Sequence, residues 1–196
     1  MKIKYSLFIL VFLFVGCASG PSPKYDVKKA DSNLPVVVGG ISVWSRGVGS
    51  GTGFDLKNED TGEFIGYTGA KSFFLRLPPG NYTVHSIGSR QGGTGSKDTS
   101  FAFTVSDEPF QYIGTLVKSF HIGAGFDVLG RKPISKRTYG VWEPIFIGGS
   151  ETRKPGEVQA PFTQVFVFDD YDKVIKDFKT QFPEFSTAKF TKNFIK

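Results

Sequence analysis

The sequence predicts a mainly β protein, an antiparallel β-sandwich with a C-terminal strand and one amphipathic α-helix. Three observations carry that expectation. Short apolar runs recur between positions 36 and 120, Gly, Pro, Asn and Asp separate them, and a single helical stripe follows near the end of the chain. The runs fall at 36–44, 52–57, 63–67, 72–77, 82–87, 101–105 and 112–120. Successive strand side chains point to opposite faces, so Phe73, Leu75 and Leu77 share one face, as do Phe101, Phe103 and Val105. Seven short strands with turns at this spacing fit a sandwich.

The sharpest turn is Leu77-Pro78-Pro79-Gly80-Asn81-Tyr82. Proline holds φ near −65° at the first corner and glycine accepts the positive φ that follows, so the chain is expected to return as an antiparallel partner. The phrase Phe74-Leu75-Arg76-Leu77-Pro78-Pro79-Gly80-Asn81-Tyr82-Thr83-Val84 resembles the hairpin of transthyretin-like and carboxypeptidase-regulatory-like sandwiches. It is also similar to bacterial lipoproteins that place this hairpin before a strand ending in Tyr-Ile-Gly, here Tyr112-Ile113-Gly114. The resemblance spans residues 36–120. It implies an immunoglobulin-like (prealbumin-like) sandwich and brings no active site with it.

Residues 123–162 read as an irregular or hairpin excursion, with edge strands expected at 126–129 and 139–147 because Pro133 and Pro144 exclude a central position. A strand is expected at 163–168, and Asp169 or Asp170 can cap the helix after it. Tyr171, Val174, Ile175, Phe178 and Phe182 form one stripe at helical spacing, while Lys173, Lys176, Asp177 and Lys179 are expected to face away. Pro183 ends the helix. The stripe suits a helix packed on the sandwich, with residues 163–196 forming one closing unit.

The N-terminus speaks to location. Lys2 and Lys4 precede an unbroken apolar run at 7–15 and a small residue, Gly16, which is the grammar of an export signal over residues 1–16. A spanning helix needs about 20 apolar residues to cross roughly 30 Å of hydrocarbon, so this run is too short to remain as an anchor. Phe14-Val15-Gly16-Cys17 resembles the lipobox of bacterial lipoproteins. That resemblance implies a diacylglycerol on the Cys17 thiol, cleavage before it, and acylation of the new amino group. Ala18 and Ser19 stand where an Asp would signal retention in the inner membrane, which implies an outer-membrane lipoprotein facing the periplasm. Each buried lipid CH₂ contributes about 0.8 kcal/mol, and two or three chains anchor stably where one does not.

Residues 17–35 are expected to form the lipidated start and a tether, reaching up to about 50 Å when extended. Residues 36–122 are the expected sandwich core. Cys17 is the only cysteine, so an intrachain disulfide is excluded and the core must hold the fold. Three of the 21 Phe (Phe8, Phe12, Phe14) lie in the signal, which leaves 18 for that core. Burying each is worth roughly 1.5–3 kcal/mol.

The formal charge of +6 falls to +4 once Lys2 and Lys4 are removed with the signal, too mild for a nucleic-acid partner, which export disfavours as well. Only His85 and His121 are present, and no Cys cluster or acidic calcium loop occurs, so no metal or other cofactor is expected. Gly47-Val48-Gly49-Ser50-Gly51-Thr52-Gly53 runs into strand-like residues instead of a helix, which makes it a hairpin loop and not a phosphate cradle. Asp55, Glu59, Asp60, Glu63 and Glu143 have no spacing that pairs two acids as a glycosidase requires. Arg131, Lys132, Lys136 and Arg137 gather near Tyr139 and Trp142, a candidate ligand or partner surface in which Trp142 offers a flat stacking face. The expectation is a non-enzymatic envelope lipoprotein held to the membrane through Cys17, acting as a structural or protein-interaction module. A carbohydrate or peptidoglycan binder is the alternative, and a hydrolase the least favoured.

Overall fold

The structure, a computed structural model, describes residues 22, 24–45, 48–49, 52–69, 71–89, 101–121, 132–140 and 162–196. The strands are β1 (Val36–Ser45), β2 (Val48–Gly49), β3 (Thr52–Asn58), β4 (Phe64–Gly69), β5 (Ser72–Arg76), β6 (Gly80–Ser89), β7 (Ala102–Val105), β8 (Phe110–His121), β9 (Ser135–Gly140), β10 (Phe162–Phe168) and β11 (Thr191–Lys192). Helix α1 (Tyr171–Gln181) precedes a single 3₁₀ turn at Pro183–Phe185. Each of the seven expected runs is a strand. Residues 126–129 and 141–147, where two more strands were expected, lie outside the described residues; of the second, only 139–140 is described, at the end of β9.

Two sheets face each other. The first has the order β2-β1-β8-β10-β9, with β5 also on β1 and β11 also on β8; the second is β4-β3-β6-β7. Their inner faces meet in one apolar core that includes Val37, Ile41, Phe73, Leu75 and Leu116 from the first sheet and Phe54, Leu56, Tyr82, Val84 and Phe103 from the second. This is a β-sandwich. Its outer layer is α1, which packs on β1 and β5. There Val174, Ile175, Phe178 and Phe182 cover Val36, Val38, Phe74 and Tyr112. The first sheet is therefore buried on both faces where β1 and β5 lie, and all five residues of β5 are buried.

Two expectations about pairing are corrected. The sandwich is not wholly antiparallel: β8 runs parallel to β1, Val36 opposite Phe110 and Trp44 opposite Ser119, and β11 runs parallel to β8. A parallel partner needs a long crossover, and residues 46–109, which build the entire second sheet, supply it. The Pro-Pro-Gly turn is also not a hairpin, because β5 pairs with β1 in the first sheet while β6 pairs with β3 and β7 in the second. Pro78 and Pro79 have no N–H to extend a ladder, so the chain leaves one sheet there and enters the other. The corner is pinned by Tyr82, whose hydroxyl donates to the Pro78 carbonyl at 2.8 Å and accepts from Asn58 Nδ2 at 3.1 Å. A tyrosine bonding its own chain a few residues upstream is a known closure for sandwich corners.

The parallel β1–β8 ladder shifts register between Val38 and Gly40. The extra residue on β8 is taken up at Gly114, whose φ of +101° suits glycine. The bulge lets both Ile113 and Leu116 enter the inter-sheet core, which a strict alternation forbids.

The helix follows its stripe, with one change at each face. Asp170 occupies the N-cap but makes no side-chain cap bond. Asp169 Oδ1 instead accepts from the Tyr171 amide at 3.2 Å, and the Asp170 amide donates to the Tyr112 hydroxyl at 2.6 Å. On the expected outer face, Asp177 accepts from Ser72 Oγ at 2.7 Å and so ties α1 to β5. Phe178, fully buried, is the hub: the rings of Phe74, Phe182 and Phe190 lie 5.0–5.3 Å from it. Beyond the 3₁₀ turn the tail stitches the two sheets together. Asn193 and Ile195 donate from their amides to Tyr112 and Ile113 of β8, and Lys196 and Ala102 of β7 exchange two backbone bonds.

A Cβ on Gly39 would stand 2.5 Å from Phe73 Cζ and 2.7 Å from the Gly114 carbonyl oxygen. Gly39→Ala is therefore expected to lower the unfolding free energy by about 1–3 kcal/mol, the usual cost of overpacking a core. Urea denaturation measures it. The same change at Gly88, where a Cβ meets nothing within 4 Å, should cost under about 1 kcal/mol.

Candidate functional site

Of the surface proposed from sequence, the described residues include Lys132, Lys136, Arg137 and Tyr139; Arg131 and Trp142 lie outside them, as does Cys17, the expected lipidation site. Strand β9 places Lys136, Arg137 and Tyr139 in one edge strand whose described partner is β10, opposite Phe166, Val165 and Thr163 respectively. Lys132 and Lys136 are exposed, and the Lys136 ammonium sits 5.6 Å from the centre of the Phe166 ring. A basic residue over an aromatic face contributes about 0.5–1 kcal/mol at an exposed site, and charge on an edge strand deters unwanted strand pairing. Both are structural uses of Lys136.

Of the carboxylates considered for catalysis, the four described ones are each engaged in surface contacts. Glu63 pairs with Lys24 at 2.8 Å, Glu59 with Lys57 at 2.8 Å, Asp60 accepts from the Asn81 amide at 2.8 Å, and Asp55 accepts from Ser86 Oγ at 2.5 Å. The hydrogen bond from Lys24 holds Glu63 below the usual carboxylate range, and those from Lys57 and Thr83 do the same to Glu59. A general acid requires the opposite shift. Glu143 lies outside the described residues. His85 stacks edge-on with the exposed Phe64 at 4.9 Å. Among the described residues no group of three or more His, Cys, Asp or Glu is placed to hold a metal.

Two features that sequence reasoning missed are buried cations. The first is Arg76, at the end of β5, 6% exposed. Its Nε donates to the Val27 carbonyl at 3.0 Å, and its Nη1 donates to the carbonyls of Ser32 and Leu34 at 2.8 and 2.6 Å. The Arg76 amide also donates to the Tyr25 carbonyl at 2.9 Å. Burial pushes the guanidinium pKa down, opposed by the charge of Asp31. A planar fork with five donors suits several carbonyls at once, which the point charge of a lysine does not.

The segment that Arg76 grips was expected to be tether. Instead residues 24–35 form a strap against the first sheet, with Tyr25 and Val27 buried and Ser22 accepting from the amides of Tyr25 and Asp26. Over residues 24–35 the expected tether is therefore packed against the body. The Arg76 signal was present in the sequence, as the one charged residue inside an otherwise apolar strand.

The second buried cation is Lys118, 1% exposed on β8. Its ammonium crosses the sandwich and donates to the Ile87 carbonyl of β6 at 2.6 Å. Loss of hydration on burial pushes its pKa down to about 8. Lys118 was unmarked in the sequence because it sits at an inward position of a strand whose phase the Gly114 bulge resets.

The strand directions give the sandwich two distinct poles. At one lie the strap, the β3–β4 turn and the Pro78-Pro79 corner, joined by the Lys24–Glu63 pair and by the Asp60 contact to Asn81. At the other lie the ends of β1, β8 and β9 and the start of β10, since β10 begins opposite His121 and Gly140. The ends of β4 and β6 share that pole, both opposite Thr52 at the start of β3.

Fold and geometry thus define a two-sheet β-sandwich with one covering helix and a latched N-terminal strap. Comparison with protein-family models, with curated proteins and with solved structures finds no match to this chain.

Two predictions follow from the buried cations. Arg76→Gln leaves carbonyls of the strap without their donor and should lower stability by about 2–4 kcal/mol, with tryptic cleavage at Lys28 and Lys29 accelerated. For Lys118 the folded pKa lies below the unfolded value of about 10.4, so between pH 8 and 10 the unfolded chain holds more protons and stability rises with pH. Below pH 8 the full cost of a buried charge, about 3 kcal/mol, is present. Lys118→Met should remove that slope in urea titrations across pH 7–10 and raise stability at pH 7.

Proposed function

We propose that this chain is an envelope lipoprotein, anchored through lipid on Cys17, whose sandwich serves as a non-enzymatic structural or protein-interaction module. The observation that carries the reading is the sequence Phe14-Val15-Gly16-Cys17 at the end of an export signal, followed five residues later by Ser22, where the chain is already bonded to the strap. The carboxylates Asp55, Glu59, Asp60 and Glu63, held in surface contacts, and the two buried cations, bonded to backbone carbonyls, favour a body built for presentation over one built for turnover. Ala18 and Ser19 in place of an Asp after Cys17 support the periplasmic side of the outer membrane within this reading. The transthyretin-like relationship of the 36–120 region belongs to the same proposal: the Tyr82 corner supports it, and the parallel β1–β8 pair marks where this sandwich departs from an all-antiparallel plan.

Replacing Cys17 with Ser tests the anchor. The variant should keep its signal uncleaved, fail to incorporate labelled palmitate and leave the detergent-extracted membrane fraction, while its thermal unfolding stays unchanged. Unaltered labelling and fractionation in the variant would overturn the reading.

A further inference from the structure

Among the described strands, every sheet edge is guarded except one. On β7 the outward amide and carbonyl of Ala102 are bonded to Lys196 of the tail, and the Thr104 carbonyl accepts from Asn193 Nδ2. On β5 the outward Arg76 amide is bonded to Tyr25 of the strap, and the Ser72 carbonyl accepts from the Tyr67 hydroxyl at 3.0 Å. Strand β9 carries Lys136 and Arg137, and β2 is only two residues long. A covering segment, charge and short length are the usual means by which a protein keeps an edge from pairing with another chain.

Strand β4 has none of these. The Asn58 amide donates to the Glu63 carbonyl, which fixes the phase of the β3–β4 ladder. Ile65, Tyr67 and Gly69 turn their backbone groups to β3, while Phe64, Gly66 and Thr68 turn theirs outward, where no described residue bonds to them. The strand is uncharged, contains no proline and pairs with β3 without a register shift. Phe64, 55% exposed, stands on its outer face with the His85 ring against it, and Gly66 beside it is exposed.

We infer that β4 is a self-pairing edge, at which a second copy of this chain adds its own β4 antiparallel and joins the two four-stranded sheets edge to edge. The strand itself selects a second copy as the occupant. With Gly66 on the twofold axis, Phe64 falls opposite Thr68 of the second copy, Gly66 opposite Gly66, and Thr68 opposite Phe64. Every outward amide then meets an outward carbonyl, about six backbone bonds in all. An aromatic ring beside a β-branched side chain is a favourable cross-strand pair, and no like charges meet along the strand. The strap meets this edge at the Glu63 end, where Lys24 pairs with Glu63, and antiparallel pairing sets the two Glu63 ends apart. The pairing uses no part of the anchor and holds whether or not Cys17 carries lipid.

Cysteine crosslinking of the purified full-length chain, with copper–phenanthroline as oxidant, maps the pairing; the parent chain, whose one cysteine is Cys17, is the blank. Gly66 has room for a side chain, its nearest neighbour being Asp55 Oδ1 at 3.3 Å. Across a hydrogen-bonded antiparallel pair the Cα atoms stand about 5.5 Å apart, within the span of about 4.4–6.8 Å that a disulfide bridges. Gly66→Cys should therefore give a disulfide dimer, as should a mixture of Phe64→Cys and Thr68→Cys chains, each roughly five-fold or more above the blank. Phe64→Cys or Thr68→Cys alone, with equivalent positions about 14 Å apart, should stay at the blank. Thr68→Pro removes only the outward amide, so it should cut the Gly66→Cys dimer roughly ten-fold while the thermal midpoint moves by less than about 4 °C. Sedimentation equilibrium in density-matched detergent at about 100 µM should give the mass of two chains for the parent and of one for Phe64→Lys. A parent that sediments as one chain, a dimer that survives Thr68→Pro and Phe64→Lys, or crosslinking from Phe64→Cys alone as strong as from the mixture overturns the inference. A chain that stays single yet binds an unrelated extended peptide, with binding lost on Thr68→Pro, overturns the second copy as the occupant.

Discussion

A sheet buried on both faces must be covered twice, and most of this structure answers that demand. Where β1 and β5 run side by side, Val37, Phe73 and Leu75 face the second sheet while Val36, Val38 and Phe74 face the helix. Neither strand has a side left for water. The second sheet, α1 with its Phe178 hub, and the strap with Val27 are the pieces that close over it, each contributing apolar area at roughly 25 cal/mol per Å². Remove any one and buried Val, Leu and Phe side chains meet solvent. The C-terminal tail has a related part, because its bonds to both β8 and β7 keep the two sheets from sliding apart along one side.

The same demand explains the chain path. A hairpin at Pro78-Pro79-Gly80 would have left β5 and β6 in one sheet and the inner core with one wall. Passing the chain across at the corner puts Leu77 and Tyr82 into the core from opposite walls, and the Tyr82 hydroxyl then secures the crossing from within. The parallel return of β8 beside β1 is the cost of building the second sheet between them. It brings in the Gly114 bulge, which reconciles the register of a curved parallel pair with a core that needs both Ile113 and Leu116.

Buried positive charge marks the two places where this sandwich spends stability on something besides packing. Arg76 fastens the N-terminal strap and Lys118 bridges the sheets, each by bonding to backbone carbonyls. Charge in a low-dielectric interior is expensive, so such a group persists where its hydrogen bonds hold a segment in one defined place. At Arg76 the segment held is the one leading back to Cys17. A set of hydrogen bonds at a strand end thus fastens the N-terminal strap to the core.

How much of this was legible in advance follows from the range of the forces involved. Period-two alternation at Phe73-Leu75-Leu77 and Phe101-Phe103-Val105, and the 3.6-residue stripe through Phe178, are local patterns, so strands, helix and candidate core could be read from the residues. The grammar ending at Cys17 is local as well. Which sheet β6 joins, which way β8 runs beside β1, and that residues 24–35 lie against Arg76 depend on contacts between residues tens of positions apart, which no short pattern encodes. Of the basic and aromatic candidates around β9, the fold sets Lys136 over Phe166 on an edge strand, while Arg131 and Trp142 lie outside the described residues. The sequence by itself determined the strands, the apolar face of the helix and the candidate anchor, because each is decided by neighbours along the chain. Only the tertiary structure decided the pairing, the corner between the sheets and the latch on the strap, because those are decided by neighbours in space.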